Sequence, residues 1–87
     1  MSLDGVNIIV AAEKHFAVSV PDERAERSET VEQFAKVLFE LRAEVAKPLP
    51  YEVVLADLRK IVAKKLYIPI EQVTPRAHFV NDLRIDQ

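Results

Sequence analysis

Thr30-Val31-Glu32-Gln33-Phe34-Ala35-Lys36-Val37-Leu38-Phe39-Glu40-Leu41 is the stretch on which the fold turns. Val31, Phe34, Leu38, Leu41 and, further on, Val45 recur at three- and four-residue intervals. That is the repeat of an amphipathic helix and not the alternation of a strand. Thr30 and Gln33 fit a capping box, the hydroxyl and the side-chain amide satisfying two free backbone donors reciprocally. Lys47-Pro48-Leu49-Pro50 ends the helix, because two prolines within three residues cannot continue it.

Outward from this helix the chain reads as more of the same. Pro50 suits the first turn of a new helix, in which Val54, Leu55, Leu58, Ile61, Val62 and Leu66 share a face. Arg59, Lys60, Lys64 and Lys65 lie off that face and read as a solvated surface, three of them near the end that favours cations. After Tyr67-Ile68-Pro69 the pattern becomes loop-like, with one turn expected between Ile70 and Thr74. Toward the N-terminus, Leu3, Val6, Ile9, Val10 and Phe16 place a helix over 3–16, with Ser2 as N-cap and Asp4 in its first turn. Val18-Ser19-Val20-Pro21 is an extended connector, and Asp22 to Arg27 makes at best a short helical turn. The expected fold is all-α: three longer helices and one short one in a single domain, 1–87.

Composition removes whole classes of function. A chain of 87 residues holds one core, and 49% apolar with 30% charged residues is enough for both a core and a solvated surface. No apolar run reaches the ~18–20 residues that cross a bilayer, and Met1-Ser2-Leu3-Asp4 has no basic leader, so a cytoplasmic protein is expected. Without cysteine there is no thiolate metal site, disulfide or thiol nucleophile. A net charge of −2 argues against nucleic acid, and a single glycine excludes Gly-rich phosphate loops.

Catalytic constellations are also missing. His15 and His78 have no HExxH spacing and read as partly exposed histidines of a helix and a loop. Asp82 and Asp86 read as caps of turns before they read as an acid–base pair. Phe16, Phe34, Phe39 and Phe79 are interleaved with aliphatic residues, which is a packing pattern. Neither an enzyme nor a metal site is expected.

One constellation appears when the two ends are read together. Phe79-Val80-Asn81-Asp82-Leu83-Arg84-Ile85-Asp86, followed by Ser2-Leu3-Asp4-Gly5-Val6, resembles the D-L-G-x-D-S-L-D attachment motif of acyl carrier proteins. Downstream, Ala11-Ala12-Glu13-Lys14-His15-Phe16 and Val18-Ser19-Val20-Pro21-Asp22-Glu23 are similar to that family's A-L-E-E-E-F and I-x-I-P-D-E. Thr30 to Leu41 then looks like its last helix. Upstream, Leu66, Ile68, Val73-Thr74-Pro75, Ala77 and Phe79 stand where the family has L-G-V, E-V-T-P, A and F. Tyr67 and Arg84 stand where the family has glycine, and Asn7, Lys14 and His15 where it is commonly acidic.

The resemblance implies a small four-helix bundle of acyl carrier type, circularly permuted: second, third, fourth and then first helix. Residues 42–51 would be the linker joining the family's original termini. The same resemblance implies 4′-phosphopantetheine on Ser2, with Asp86, Leu3 and Asp4 as flanking motif residues, and transport of acyl groups as thioesters in fatty acid or related biosynthesis. Val6, Phe16, Val20, Phe34, Ile61 and Phe79 would be the apolar residues sheltering the acyl chain. Implied partners are a phosphopantetheinyl transferase and acyl-transferring or synthase enzymes, with neither nucleic acid nor membrane. A monomer is expected, with a swapped dimer as the alternative if the chain joins parts of two tandem carriers. The competing functional expectation is a helical interaction or scaffold module, a vestigial or engineered permutant without prosthetic group.

Overall fold

The computed structural model describes residues 3–45 and 47–85. Four helices follow in order: α1 (Leu3–Phe16), α2 (Asp22–Arg27), α3 (Val31–Val45) and α4 (Tyr51–Leu66), then a 3₁₀ turn at Ile70–Gln72. Among the described residues there is no strand, only one isolated antiparallel bridge between Thr30 and His78. The element types match those expected from periodicity, including the short α2.

The capping box that opens α3 forms as the sequence predicts. The Gln33 amide donates to Thr30 Oγ1 at 3.3 Å, and Gln33 Oε1 accepts from the amides of Thr30 at 3.2 Å and Glu29 at 2.7 Å. The next two free donors of the helix are satisfied from afar. Val31 N–H reaches the Ala77 carbonyl at 3.0 Å, and Glu32 N–H the Pro75 carbonyl at 2.8 Å. The C-terminal loop therefore serves as part of the cap of α3, supplying acceptors that a helix start otherwise takes from water.

Helix α4 is the central element, packed against both α1 and α3. It contributes Val54, Leu58 and Val62 to the core, α3 contributes Val31, Phe34, Ala35, Leu38 and Leu41, and α1 contributes Ile8, Ala12 and Phe16. Val18, Val20, Val73, Ala77 and Ile85 complete it from the connections. No buried polar residue interrupts this core among the described residues. Burial is thus apolar throughout, at roughly 1.5–3 kcal/mol for each large aliphatic or aromatic side chain.

The structure corrects the sequence expectation in two places. Helix α1 is rotated: it turns Ile8, Ala12 and Phe16 inward, while Leu3, Val6 and Val10 are 75%, 42% and 40% exposed. Ala12, with no exposed surface, lets the backbone of α1 come close to its neighbour, which a stripe of larger residues would prevent. Second, Arg59 does not belong to a solvated cationic face. Its guanidinium donates to the carbonyls of Val73 and, at 3.1 Å, Ile70, tying the loop after α4 to the helix. Helix α3 runs to Val45, as its periodicity expects, and residues 47–50 lead into α4. Arg42 anchors the last turn of α3, donating from Nη1 to the Phe16 carbonyl at 2.8 Å and from Nε to the Lys47 carbonyl at 3.1 Å.

Candidate functional site

Ser2 and Asp86, the two motif residues at the centre of the expected attachment site, lie outside the described residues. Leu3 and Asp4 occupy the first turn of α1 and are exposed, with the Asp4 carboxylate at the positive end of the helix dipole. Just inward, Gly5 of that same turn and Ile85 of the C-terminal segment line one cavity of about 300 Å³. The two ends of the described chain therefore meet at one place on the bundle.

The cavity is built from four parts of the chain. Ile8 and Ile9 of α1 form one wall, Phe34 of α3 another, and Ala25 of α2 a third. Phe79, Val80 and Ile85 close it from the C-terminal side. Phe34 and Phe79 meet edge to face, centroids 6.3 Å apart at 78°, an orientation that aligns a ring edge with a π face. Glu26 and Ser28 supply the polar lining; the Ser28 hydroxyl donates to the Arg24 carbonyl at 2.9 Å.

Of the six residues expected to shelter a chain, Phe34 and Phe79 line this cavity. Phe16 and Val20 are buried in the core, and Ile61 packs partly buried against it. Val6 faces solvent. Sequence reasoning did not single out Ile8, Ala25, Val80 or Ile85 for the cavity. Ile85, inside the motif between Arg84 and Asp86, is only 6% exposed; the signal available in the sequence was an aliphatic residue within a polar run.

The C-terminal wall is held by a compact turn around His78. The His78 amide donates to Asp82 Oδ2 at 2.7 Å, and the His78 carbonyl accepts from the amides of Asp82 at 2.9 Å and Leu83 at 3.0 Å. His78 Nδ1 accepts from the amides of Val80 at 3.2 Å and Asn81 at 3.1 Å. Ile85 N–H then bonds the Phe79 carbonyl at 2.9 Å, and Phe79 N–H the Glu29 carbonyl at 2.9 Å. Asp82 thus caps a turn, as its sequence position suggests. His15 instead joins α1 to α4, its Nε2 lying 3.0 Å from Asp57 Oδ2 at the surface. No group of three or more His, Cys, Asp or Glu side chains is placed to hold a metal ion among the described residues.

Among the described residues three non-glycine positions have left-handed backbone: Ala17 (φ 55°), Tyr67 (φ 57°) and Arg84 (φ 60°). Ala17 and Tyr67 end α1 and α4, where such a residue lets the next amide turn back onto a free carbonyl. Val18 N–H reaches Glu13 O and Ile68 N–H reaches Ala63 O, both at 3.1 Å. Arg84 is not at a helix end. It reverses the chain between Leu83 and the buried Ile85, so that Ile85 points back to the cavity wall.

Among the described residues one titratable group, Tyr51, is displaced from its ordinary behaviour. Burial, and secondarily the Glu32 carboxylate, raise the pKa of the Tyr51 phenol, whose hydroxyl donates to the Glu32 carbonyl at 3.4 Å. The folded state then holds this proton more tightly than the unfolded chain. Its contribution to stability is fully present below about pH 10 and is lost as the pH rises through the raised value. Denaturation midpoints measured across the alkaline range should fall less steeply for Tyr51→Phe than for the parent; identical slopes would exclude this linkage.

Among the described residues no helix is long and apolar enough to cross a membrane. No protein-family model, no curated protein and no solved structure matches this chain.

Proposed function

We propose that the chain is an acyl carrier with its helices in permuted order, carrying acyl intermediates on a 4′-phosphopantetheine arm at Ser2 in fatty acid or related acyl biosynthesis. The observation that carries this reading is conformational. Tyr67 and Arg84, which stand where the resemblance puts glycine, both have φ near 60°. A left-handed residue with a Cβ costs about 1–2 kcal/mol relative to right-handed backbone, whereas glycine takes either freely. The chain thus keeps a glycine-type backbone at two positions that carry other side chains. Tyr67→Gly and Arg84→Gly should each raise the unfolding free energy by about 1 kcal/mol, read from urea denaturation. A loss of stability on both would remove this support.

The cavity between the chain ends is the second support. At about 300 Å³, it is at the small end of ligand pockets, which suits a short acyl chain better than a long one. The first turn of α1, which follows Ser2, borders it. Ser2 would hold the arm, Leu3 and Asp4 would flank it, and Phe34 and Phe79 would contact the cargo. The group supplies the thiol on which acyl groups are held as thioesters. The protein itself makes no bond; a separate transferase esterifies the serine hydroxyl from coenzyme A. Synthase or acyl-transferring enzymes are the further partners, to which the tether presents cargo at high effective concentration. We place this activity in the cytoplasm.

The exposed stripe Leu3, Val6 and Val10 on α1 favours a second reading, a non-carrying interaction module acting through that face. Intact mass after incubation with coenzyme A and a broad-specificity phosphopantetheinyl transferase separates the two. The carrier reading expects an increase of one phosphopantetheine in the parent and none in Ser2→Ala. An unchanged mass in folded parent protein leaves the interaction module.

A further inference from the structure

We infer that His78 is a proton switch for the C-terminal wall of the cavity: the wall is closed while the imidazole is neutral and loosens when it is protonated. The inference deepens the carrier reading, on which its meaning for an acyl cargo rests. The switch itself requires no cargo.

The geometry assigns the ring's proton. Two backbone N–H groups, from Val80 and Asn81, point at Nδ1 at 3.2 and 3.1 Å, so Nδ1 offers its lone pair. The proton of the neutral ring is then on Nε2, facing Glu29 Oε2 at 3.3 Å. A cationic imidazole has a proton on both nitrogens and accepts at neither. Protonation therefore removes the acceptor of two amides at once and sets an N–H against two N–H groups. Imidazole is the side chain that ordinarily changes charge between about pH 5 and pH 8.

The charged groups facing His78 are the carboxylates of Glu29 and Asp82. Glu29, from the connection before α3, favours the cation, but its side chain is 69% exposed and its pull is screened by water. Asp82, from the same turn, is engaged by the His78 backbone amide. Just before α3, Thr30 meets His78 through a backbone bridge.

The consequence reaches the cavity because the residues concerned are its wall. Val80 is one of the two amides released and lines the cavity directly. Phe79 precedes it, stacks edge to face on Phe34 and accepts the bond from Ile85, the third wall residue. Loss of the Nδ1 contacts frees the segment that seats all three.

The test is an NMR titration of the whole chain from about pH 8 to about pH 5, following the His78 ring, the Val80 and Asn81 amides, and the side chains of Phe79 and Ile85. N-Phenyl-1-naphthylamine, neutral over this range, reports access to the cavity. His78→Asn is the companion variant, because an asparagine side-chain oxygen accepts from the same two amides and does not titrate. In the parent, the protection of both amides should fall about tenfold or more with the ring's own titration, as expected for two lost hydrogen bonds, and probe affinity should change with the same midpoint. In His78→Asn both should stay flat. Amides that keep their protection while the ring titrates overturn the inference, as does an equal change in His78→Asn. Since neither signal needs phosphopantetheine, the switch can stand if Ser2 proves unmodified, and can fail if Ser2 is modified.

Discussion

Phe16→Ala is expected to lower the unfolding free energy by about 3–5 kcal/mol, the largest effect of any single truncation considered. The ring has no exposed surface and ends α1 where that helix meets the core. It packs edge to face with His15, centroids 4.7 Å apart at 89°. Its own carbonyl is held by Arg42, so the surrounding backbone is fixed from α3 and is not free to collapse into the space the ring leaves. Small domains have only about 5–15 kcal/mol in total; the variant should therefore unfold at low urea or lose cooperative unfolding. A loss below about 1 kcal/mol would be typical of a surface site and would contradict this placement.

The second large effect is expected at Arg59→Met. The guanidinium bonds the carbonyls of Ile70 and Val73, and Val73 is fully buried. Methionine keeps much of the aliphatic stem and removes both charge-assisted bonds. Each such bond contributes about 1.5–3 kcal/mol, and partial rehydration of the carbonyls offsets some of that, leaving a net loss of about 2–3 kcal/mol. Arg59→Lys should recover little, since an ammonium lacks the planar fork that spans two acceptors. Lys60→Met, one residue on and exposed, should change stability by less than about 0.5 kcal/mol. Urea denaturation ranks the three, and hydrogen exchange in Arg59→Met should accelerate first at Gln72 and Val73, whose amides close the 3₁₀ turn onto Pro69 and Ile70. Equal losses in Arg59→Met and Lys60→Met would mean that the loop is not held by Arg59.

The helices were legible in the sequence because each has a local signature. The α3 start is written in Thr30 and Gln33, and α4 in Pro50 followed by a run with helical apolar spacing. The face that α1 buries was not legible. Its residues offer two apolar stripes, Leu3-Val6-Val10 and Ile8-Ala12-Phe16, and periodicity cannot choose between them. The choice depends on how near α4 lies, and there the small Ala12 outweighs the larger valines. Arg59 was misread for a related reason: a cation in a basic run looks solvated unless the two carbonyls it meets, 11 and 14 residues away, are known.

The cavity was legible in part. Phe34 and Phe79 were among the six residues expected through resemblance to shelter an acyl chain, and both line it. Val80 and Ile85 were missed because they are positioned by the His78 turn, whose bonds run between side chain and backbone and leave no pattern of spacing. The left-handed backbone at Arg84 was marked only by the glycine that the resemblance puts there. A long cationic residue gives no sign of positive φ, which usually marks glycine or asparagine.

The helix order is tested most directly by restoring the ordinary one. In a chain that begins at Tyr51, runs to Gln87, joins Met1 and ends at Val45, the connection 46–50 is opened and the two ends that border the cavity are tied. The account predicts a cooperatively folded protein with the parent's helical content, whose mass rises by one phosphopantetheine at the serine corresponding to Ser2 after incubation with coenzyme A and a broad-specificity phosphopantetheinyl transferase. A rejoined chain that fails to fold would contradict the adjacency of the ends, and one that folds yet stays unmodified would contradict the carrier.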